Sequence, residues 1–387
     1  MTSQGQLSDH RPRNEVGAER SDNRFRVVGG GAPLPGWDDL LAPEDFYQCA
    51  SWLQVMDTVG GNDINRILVG SAPAAAGLVT VVATEDSPWL LARPDTLLRD
   101  SAAAGLPGAA EVQAEVGERP LLPGLVCGGR HLGRTRPVGE VAYIVELISA
   151  AEQLAADKGL RSICYPQVDE RDTELVAALR QAGYAEHESA TYCWLPVPPG
   201  GVEEYLAGVS KHRRRRVRLA RRHLAEAGVE LGVQVLRDAP LERLGELEAA
   251  LLVKYGNPAT PESSTKLLRL IAAELGENAL VSYAKLDGEV IGFGLVLRSD
   301  RLSEHRPRNE GGAERSGGQW FGHRAGFDYE KQGDLPLYEE VLYYRVMDEA
   351  AELGVQVLHA GIGSADVKLS MHCESSLEYS FLKVLTP

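Results

Sequence analysis

The chain has 387 residues, of which 44% are hydrophobic and 25% charged, values typical of a soluble globular protein long enough for two domains. Forty lysines and arginines against 55 aspartates and glutamates give a formal charge of −15, which argues against nucleic-acid binding by the whole surface. A polyanionic partner would therefore need a local basic patch. No stretch approaches the roughly 18 apolar residues of a membrane-spanning helix, so we expect no membrane insertion.

The first residues predict a polar, disordered tail. Residues 1–36 lack the apolar core of a signal peptide, so we expect a cytoplasmic protein. A segment of this tail, 7–21, recurs at 302–316 with 13 of 15 positions identical. Neither copy has helical or strand periodicity, and we expect the second copy to be a disordered insert. A recognition epitope and a tolerated duplication are both open interpretations of it.

Two helices of similar pattern follow, one in each half of the chain. Residues 140–158 and 337–353 have apolar positions three or four residues apart, and each pattern ends at a glycine and a short strand candidate. A further strand candidate precedes each helix. Strand, helix and strand in both halves predict an α/β fold with mixed sheets.

The Pro/Gly-rich run at 195–201 is typical of a hinge between domains. It divides the chain into a predicted N-terminal domain, 37–198, and a C-terminal domain, 199–387. The five cysteines are widely spaced and none forms a CxxC pair, so the sequence predicts neither disulfides nor a metal site. It makes no prediction of oligomeric state.

A strongly basic helix is predicted over 210–228, with Ser210 as its N-cap. One lysine and seven arginines stand between positions 211 and 222. Guanidinium groups bind phosphate oxygens in pairs, which favours a phosphate or nucleic-acid partner such as tRNA. A solvated face paired with nearby glutamates is the alternative. The proposed phosphate-binding residues are Lys211, Arg214, Arg215, Arg218 and Arg222.

Loops that precede long helices are a second place to look for anion binding, because a helix N-terminus presents unpaired N–H groups. In the first half this loop carries Arg130, Gly133 and Arg134, a candidate coenzyme A loop. The corresponding loop at 330–336 has one glycine and a proline, which makes it a poor cradle for a pyrophosphate.

The element order and four segments resemble the tandem GNAT-fold acyltransferases related to the FemABX family. The segments are 36–53, the basic helix, 338–363 and 367–375, and the resemblance covers 37–387 without the insert. It implies two GNAT-like domains in one chain. Some members of that family transfer an aminoacyl group from charged tRNA to an amine.

The resemblance makes Lys368 the counterpart of a family lysine near the reacting carbonyl. Asp328, Tyr338 and Tyr343 are proposed to move protons because of their place at the second-half loop and helix start. A solvated lysine and core tyrosines are the bland alternatives. We interpret His359 and His372 as core residues rather than catalysts. The first-half loop departs from the GNAT signature Arg/Gln-x-x-Gly-x-Gly/Ala at Thr135.

Three functions remain open. The first is an N-acyltransferase that forms an amide between an aminoacyl group from charged tRNA and the amine of a small-molecule or cell-wall precursor acceptor. The second is an acetyl-CoA-dependent N-acetyltransferase. The third is a non-catalytic protein that binds nucleic acid through the basic helix. Each enzyme hypothesis expects a co-substrate, aminoacyl-tRNA or acyl-CoA, and no tightly bound cofactor.

Overall fold

The computed structural model describes residues 25–30, 34–59, 63–70, 74–87, 93–128, 135–299 and 318–385. The described strands form one sheet. They are β1 (Phe25–Gly29), β2 (Asp63–Val69), β3 (Ala76–Ala83), β4 (Gly124–Cys127), β5 (Val138–Gly139), β6 (Ser162–Asp169), β7 (Ala185–Pro196), β8 (Glu230–Val235), β9 (Ala279–Leu286), β10 (Glu289–Arg298), β11 (Gln319–Phe327), β12 (Val357–Gly361) and β13 (Glu374–Val384).

The pattern of antiparallel and parallel pairing is almost the same whichever edge of the sheet one starts from. Its strand order is β1-β2-β3-β4-β6-β13-β7-β12-β11-β10-β9-β8, with the short β5 beside β3. Neighbours are antiparallel except for β4 with β6 and β11 with β12, which are parallel. We call β1–β6 with their helices the first lobe and β8–β12 with theirs the second lobe.

The two central strands come from the middle of the chain and from its C-terminal part. The C-terminal strand β13 pairs with β6 of the first lobe, and β7 pairs with β12 of the second. β13 and β7 also pair with each other. Because one sheet continues through both lobes, the division into 37–198 and 199–387 follows the chain more closely than it follows the packing, and it stays a prediction.

Helices cover both faces of this sheet. They are α1 (Ala50–Val59), α2 (Pro94–Ala103), α3 (Ala109–Val116), α4 (Ile144–Asp157), α5 (Thr173–Gln181), α6 (Gly201–Gly208), α7 (Lys211–Glu226), α8 (Leu241–Lys254), α9 (Pro261–Leu275), α10 (Tyr329–Gln332), α11 (Leu337–Glu339), α12 (Arg345–Glu352) and α13 (Ala365–Ser370).

One hydrophobic core joins the lobes. It contains Trp37 and Trp52 from the first lobe together with Leu247, Leu268 and Phe293 from the second. A second core lies under α4 and α5, and a third under α6, α7 and α12. Each is built by a helix stripe of the kind the apolar spacing predicts, for example Ile144, Ile148, Ala151 and Leu154 on α4.

The predicted disordered tail is wrong over Phe25–Gly29, which form the edge strand β1. This segment pairs with β2 from Phe25 opposite Val69 to Gly29 opposite Asn65. Backbone hydrogen bonds to a neighbouring strand order a segment whose side chains are mostly exposed. The tail residues 1–24 and the repeated segment at 302–316 lie outside the described residues.

The predicted helix over 337–353 forms, with an irregularity. Between α11 and α12, residues Glu340–Tyr344 make a π-helical turn. The extra residue in this turn lets two successive tyrosines, Tyr343 and Tyr344, both reach the core. The architecture is the predicted mixed α/β fold. Within the described part of the chain, no helix has the length and apolar character needed to cross a membrane.

Candidate functional site

The parallel strands β11 and β12 separate at their carboxyl ends. Their pairing ends at Phe321 opposite His359. Beyond that point β11 stays with β10 as far as Phe327, while β12 stays with β7 as far as Gly361. We call the wedge between the diverging strands the second-lobe opening. An opening between parallel strands exposes backbone groups that a ligand can bind.

The equivalent place in the first lobe is occupied by the chain itself. Pairing of β4 with β6 ends at Val126 opposite Cys164. Thr135 then bridges the two strands: its N–H donates to the Gln167 carbonyl at 3.0 Å and its Oγ1 donates to the Cys127 carbonyl at 3.3 Å. The candidate coenzyme A residues Arg130, Gly133 and Arg134 lie outside the described residues.

Lys368 is a residue of α13, and its ammonium reaches the end of β12, the strand that borders the second-lobe opening. The side chain is 4% exposed, and its ammonium donates to the carbonyls of Gly361 at 2.9 Å and Ile362 at 2.8 Å. Burial lowers the pKa of Lys368, an effect that the neighbouring Cys193 and Cys373 oppose. An ammonium has three donors, so one N–H is left for a ligand after these two bonds. The solvated lysine that the sequence allowed as an alternative is excluded.

The two candidate tyrosines contact each other. The ring centroids of Tyr338 and Tyr343 lie 6.1 Å apart, and Tyr338 also contacts Phe327 at the end of β11. Tyr343 is buried in the core that contains Cys193 and Cys373, the neighbours of Lys368. Burial raises the pKa of Tyr343, so its phenol stays protonated at neutral pH and can donate a hydrogen bond, but it is a poor acid for proton transfer.

Asp328 is a structural carboxylate. Its Oδ1 accepts hydrogen bonds from the backbone N–H groups of Glu330 and Lys331, which caps α10, and its Oδ2 accepts from Arg243 at 2.5 Å. Burial alone would raise the pKa of Asp328, but these hydrogen bonds and the charge of Arg243 outweigh it, so the pKa is lowered. Both oxygens are committed to folding contacts, which argues against the predicted role in proton transfer.

Polar groups also lie near the opening on or beside β11 and β12, and two of them, Tyr47 and His323, were not predicted from the sequence. Tyr47 of the first lobe lies with its hydroxyl 3.2 Å from His323 Nδ1 of β11. His359 is buried, with Tyr192 OH 2.9 Å from Nδ1 and Gln319 Oε1 2.6 Å from Nε2. The interpretation of His359 as a satisfied core histidine is confirmed, whereas His372 is exposed and that interpretation was wrong for it.

Two polar residues near the opening lie at a bulge in β11. The register with β10 shifts between Arg324 and Gly322, so His323 is the extra residue. Arg324 forms a buried ion pair with Glu248 of α8. Helix α8 comes this close because Gly326 has no side chain: a Cβ there would meet the Glu248 backbone nitrogen at 2.5 Å. The sequence offered one signal for these residues: His323 and Arg324 interrupt a mostly apolar strand pattern.

The basic helix forms as predicted, and Ser210 caps it by accepting from the Arg213 backbone N–H. Many of its cations already have partners within the protein. Arg213 and Arg216 pair with Glu339, Arg218 with Glu203, and Arg221 with Glu340 and Asp348. Arg214 donates to the carbonyls of Leu206, Ala207 and Val209 at the end of α6. Nε and Nη2 of Arg214 therefore hold α6, which argues against the predicted ligand-binding role of this residue.

Three of the predicted phosphate-binding residues remain open to solvent. Lys211, Arg215 and Arg222 are exposed and have no ion-pair partner in the part of the chain that the structure describes. Positions i, i+4 and i+11 lie along one side of a helix, opposite the buried Val217. We call these three residues the basic stripe. The exposed Arg218 borders it, 2.9 Å from Glu203.

The helix start at the second-lobe opening is acidic. The segment 328–340 contains five carboxylates and one lysine. Asp328, Glu339 and Glu340 are paired with arginines, which leaves Glu330 and Asp334 without an ion-pair partner among the described residues. A pyrophosphate at this helix N-terminus would meet those two carboxylates, which would repel it.

Comparisons with known proteins agree with a GNAT-like fold. Residues 211–303, less than half of the chain, match a family described as an acetyltransferase (GNAT) domain. A search of curated proteins gave no match. The C-terminal domain (DUF2156) of a putative lysylphosphatidylglycerol synthetase from Agrobacterium fabrum is similar with a TM-score of 0.53 and 12% identity, over 90% of this chain and 91% of that one.

A conserved protein of unknown function from Bacteroides thetaiotaomicron is similar with a TM-score of 0.53 and 12% identity, over 93% of this chain and 100% of that one. At such identities the likeness concerns the fold alone. Because both structures extend over nearly the whole chain, the similarity includes both lobes. The predicted mixed α/β fold is confirmed, and the family match over 211–303 agrees with a GNAT-like second lobe. Two tandem GNAT-like domains stay a prediction.

Proposed function

We propose that the protein is a FemABX-like N-acyltransferase that uses aminoacyl-tRNA as donor and an amine of a small molecule or cell-wall precursor as acceptor. The observation that carries the proposal is the second-lobe opening, which has the buried ammonium of Lys368 at its edge. The basic helix α7 packs nearby, against the helical segment from α11 to α12. The acyl group would enter this opening, where Lys368 meets the reacting carbonyl.

The basic stripe favours a long anion. From Lys211 to Arg222 is eleven residues, or about 16 Å along a helix axis. A pyrophosphate is much shorter than this, whereas successive phosphates of a nucleic acid can meet all three cations. Lysine and arginine side chains on one helix face commonly bind a phosphate backbone in this way.

The acidic segment 328–340 also favours a macromolecular donor over coenzyme A. Coenzyme A bound in the usual GNAT manner would bring its pyrophosphate to the N-terminus of the helix after β11, beside Glu330 and Asp334. A macromolecular donor held by the basic stripe needs no phosphate at that point. The name of the Agrobacterium neighbour includes a lysyl group, which is consistent with an aminoacyl cargo on this fold.

The reaction is an ester aminolysis. The neutral acceptor amine attacks the ester carbonyl of the aminoacyl group, and the carbonyl oxygen becomes an oxyanion that the third N–H of Lys368 can bind. The tetrahedral intermediate collapses with cleavage of the ester C–O bond. The amide forms, and the proton lost by the amine nitrogen ends on the departing ribose oxygen. Tyr343, whose phenol stays protonated, would contribute a hydrogen bond and not a proton.

A radioactive transfer assay tests the donor. The protein is incubated with tRNA charged with labelled amino acids and with a panel of primary amines, and alkali-stable product is measured, since amides survive alkali and esters do not. We expect product that disappears after RNase treatment and that labelled acetyl-CoA does not replace. RNase-resistant product made from acetyl-CoA would overturn the proposed donor in favour of the acetyltransferase hypothesis.

Two triple variants of equal charge test the basic stripe. Lys211→Ala, Arg215→Ala and Arg222→Ala together should weaken tRNA binding and reduce the slope of log affinity against log salt by about 2 to 3. The control replaces Arg26, Arg161 and Lys266, exposed cations outside α7, by alanine. If stripe-dependent RNA binding occurs without any transfer activity, the non-catalytic hypothesis replaces the enzyme.

A further inference from the structure

The helix that carries Lys368 is too short to hold its own position. Helix α13 has six residues, Ala365–Ser370. Ser364, just before it, and His372, in the turn after it, have left-handed backbone conformations with φ of +48° and +62°. Such conformations cost free energy in residues other than glycine and persist only where the surrounding structure holds them. The position of the Lys368 ammonium therefore depends on contacts from outside the helix.

One such contact comes from Tyr205 of α6. Its hydroxyl donates a buried hydrogen bond of 2.7 Å to the carbonyl of Met371, in the turn that follows α13. In the same turn, the backbone N–H groups of Met371 and Cys373 donate to the Lys368 carbonyl at 2.9 and 3.2 Å. Both Tyr205 and Met371 are buried. Tyr205 thus fixes the turn to which the backbone of Lys368 is bonded.

Tyr205 lies against the buried arginine of the basic helix. The Arg213 guanidinium donates to the hydroxyl of Tyr344 at 2.7 Å and to Glu339 at 3.0 Å. The ring centroids of Tyr344 and Tyr205 are 5.9 Å apart. Burial raises the pKa of Tyr205, whereas the charge of Arg213 and hydrogen bonds with Tyr344 and Arg213 oppose the rise. Tyr205 therefore stays protonated as a donor, with Arg213 and Tyr344 beside it.

A second link joins the same two helices. The Nε of Arg214 donates to the carbonyl of Leu206, the residue that follows Tyr205. Two adjacent arginines of α7 therefore act on the part of α6 that carries Tyr205. The side chain of Arg213 is only 6% exposed, so it is out of reach of a polyanion that lies on the basic stripe. Buried and exposed arginines of this helix have different partners.

We propose that Tyr205 and Arg213 are positioning residues for Lys368. Tyr205 holds the end of α13 through the Met371 carbonyl, and Arg213 holds Tyr205. This inference rests on the proposed function and deepens it, because it gives the basic helix a second task. The exposed basic stripe sets the affinity for the donor, whereas the buried Arg213 sets the rate at which the bound donor reacts. Both positioning residues act through the place of the ammonium and not on the reacting groups.

Two conservative variants test the proposal. Tyr205→Phe removes the hydroxyl and keeps the ring. Arg213→Lys keeps the charge and removes the planar fork that reaches Tyr344 and Glu339. In single-turnover reactions with charged tRNA, we expect Tyr205→Phe to lower the transfer rate roughly tenfold and to leave tRNA affinity unchanged. Arg213→Lys should lower the rate in the same way.

Trace labelling with acetic anhydride reports on Lys368 without any transfer reaction. The reagent acetylates uncharged lysine amines that it can reach, and peptide mass spectrometry gives the extent at each lysine. The buried Lys368 of the wild type should label slowly. We expect Tyr205→Phe and Arg213→Lys to raise this labelling about fivefold, the equilibrium shift that one lost hydrogen bond brings. Labelling of the exposed Lys266 should not change.

Each variant has a matched control. Arg216→Lys alters an arginine of the same helix that also pairs with Glu339, but whose side chain is 52% exposed. Tyr184→Phe alters a buried tyrosine in the core of the first lobe. Both controls should behave as the wild type in both measurements. Thermal unfolding shows whether each variant is folded; where Tyr205→Phe is not, the comparison of the two lysine variants decides the question.

The outcomes separate this inference from the proposed function. A folded Tyr205→Phe variant that keeps the wild-type rate or the wild-type labelling of Lys368 would overturn the inference and leave the donor proposal standing. A fall in rate with an equal loss of tRNA affinity, or increased labelling of Lys266, would also overturn it, since both indicate a general loss of structure. A wild-type protein that transfers no acyl group from charged tRNA would overturn the proposed function, and the labelling then decides whether Tyr205 positions Lys368.

Discussion

Lys368 gives the most direct prediction for a single residue. Its ammonium is buried, donates to two carbonyls at the end of β12 and keeps one donor for a ligand. Replacement by methionine removes the charge but keeps most of the volume. We expect the transfer rate to fall roughly 100- to 1000-fold, the usual cost of one lost oxyanion donor, with a smaller change in donor affinity.

The control for Lys368→Met is Lys266→Met, an exposed lysine on α9. Single-turnover rates with charged tRNA separate the chemical step from binding. A Lys368→Met protein that is folded and transfers at the wild-type rate would show that this lysine only holds the end of the strand.

Asp45 predicts a pH dependence of stability. Burial raises its pKa to about 6 from the ordinary 3.8, although Arg136, whose Nε is 3.4 Å away, opposes the rise. The folded chain therefore holds this proton more tightly than the unfolded chain. Its stabilising effect is complete below about pH 4 and is lost as the pH rises through about 6. The loss amounts to at most about 3 kcal/mol.

Urea unfolding of the wild type and of Asp45→Asn, measured from about pH 4 to pH 7, checks this sign. The free energy of unfolding of the wild type should fall relative to that of Asp45→Asn across the range. Asp238→Asn, an exposed carboxylate, should follow the wild type. Parallel curves for wild type and Asp45→Asn would contradict the account.

At the scale of one element, the basic helix α7 separates structural from binding arginines. Arg214 donates to carbonyls at the end of α6, whereas Arg215 next to it belongs to the exposed stripe. Arg214→Ala should lower stability by about 1.5 to 3 kcal/mol, since charged hydrogen bonds are lost, and leave RNA affinity little changed. Arg215→Ala should leave stability little changed and weaken RNA binding. Thermal unfolding and filter binding of the two variants test this contrast, and equal effects of both on RNA affinity would contradict it.

Local patterns predicted elements well where one face of a helix is apolar. The spacing of Ile144, Ile148, Ala151 and Leu154 marks a buried stripe, and Ser210 caps α7 as its side chain suggests. Local patterns did not reveal which arginines of α7 form ion pairs within the protein. Their carboxylate partners at Glu339, Glu340 and Asp348 stand more than a hundred residues further along the chain, so only the packed structure brings them together.

The π turn at Glu340–Tyr344 is another feature without a local signal. Tyr343 and Tyr344 follow each other in this turn, and both are buried. Tyr343 lies in the core that also contains Cys193 and Cys373. Sequence periodicity assumes a constant number of residues per turn and does not detect one extra residue.

For the whole molecule, the exchange of the central strands makes a strong prediction. Each lobe pairs with a strand from the other half of the chain: β6 of the first lobe pairs with β13, and β12 of the second lobe pairs with β7. The fragments 37–198 and 199–387, expressed alone, would each lack one pairing partner in the middle of the sheet and expose its edge. We expect neither fragment to fold alone and co-expression to give a folded complex.

Amide hydrogen exchange of the separate and co-expressed fragments measures this. Protection in the strands β6 and β12 should appear only in the complex. A fragment that shows native-like protection by itself would contradict the interdependence of the lobes and would support the boundary at 198/199 as a true division between domains. The sequence could not predict this exchange, because the pairing of β13 with β6 joins residues about two hundred positions apart.

The central claim is that the acyl group enters the second-lobe opening and not the first-lobe gap that Thr135 bridges. Photocrosslinking with a non-hydrolysable aminoacyl-tRNA analogue that carries a diazirine on the acyl group, followed by peptide mass spectrometry, measures its position directly. We predict crosslinks to residues 321–327 and 359–368. Crosslinks confined to 124–139 or 162–169 would contradict the account.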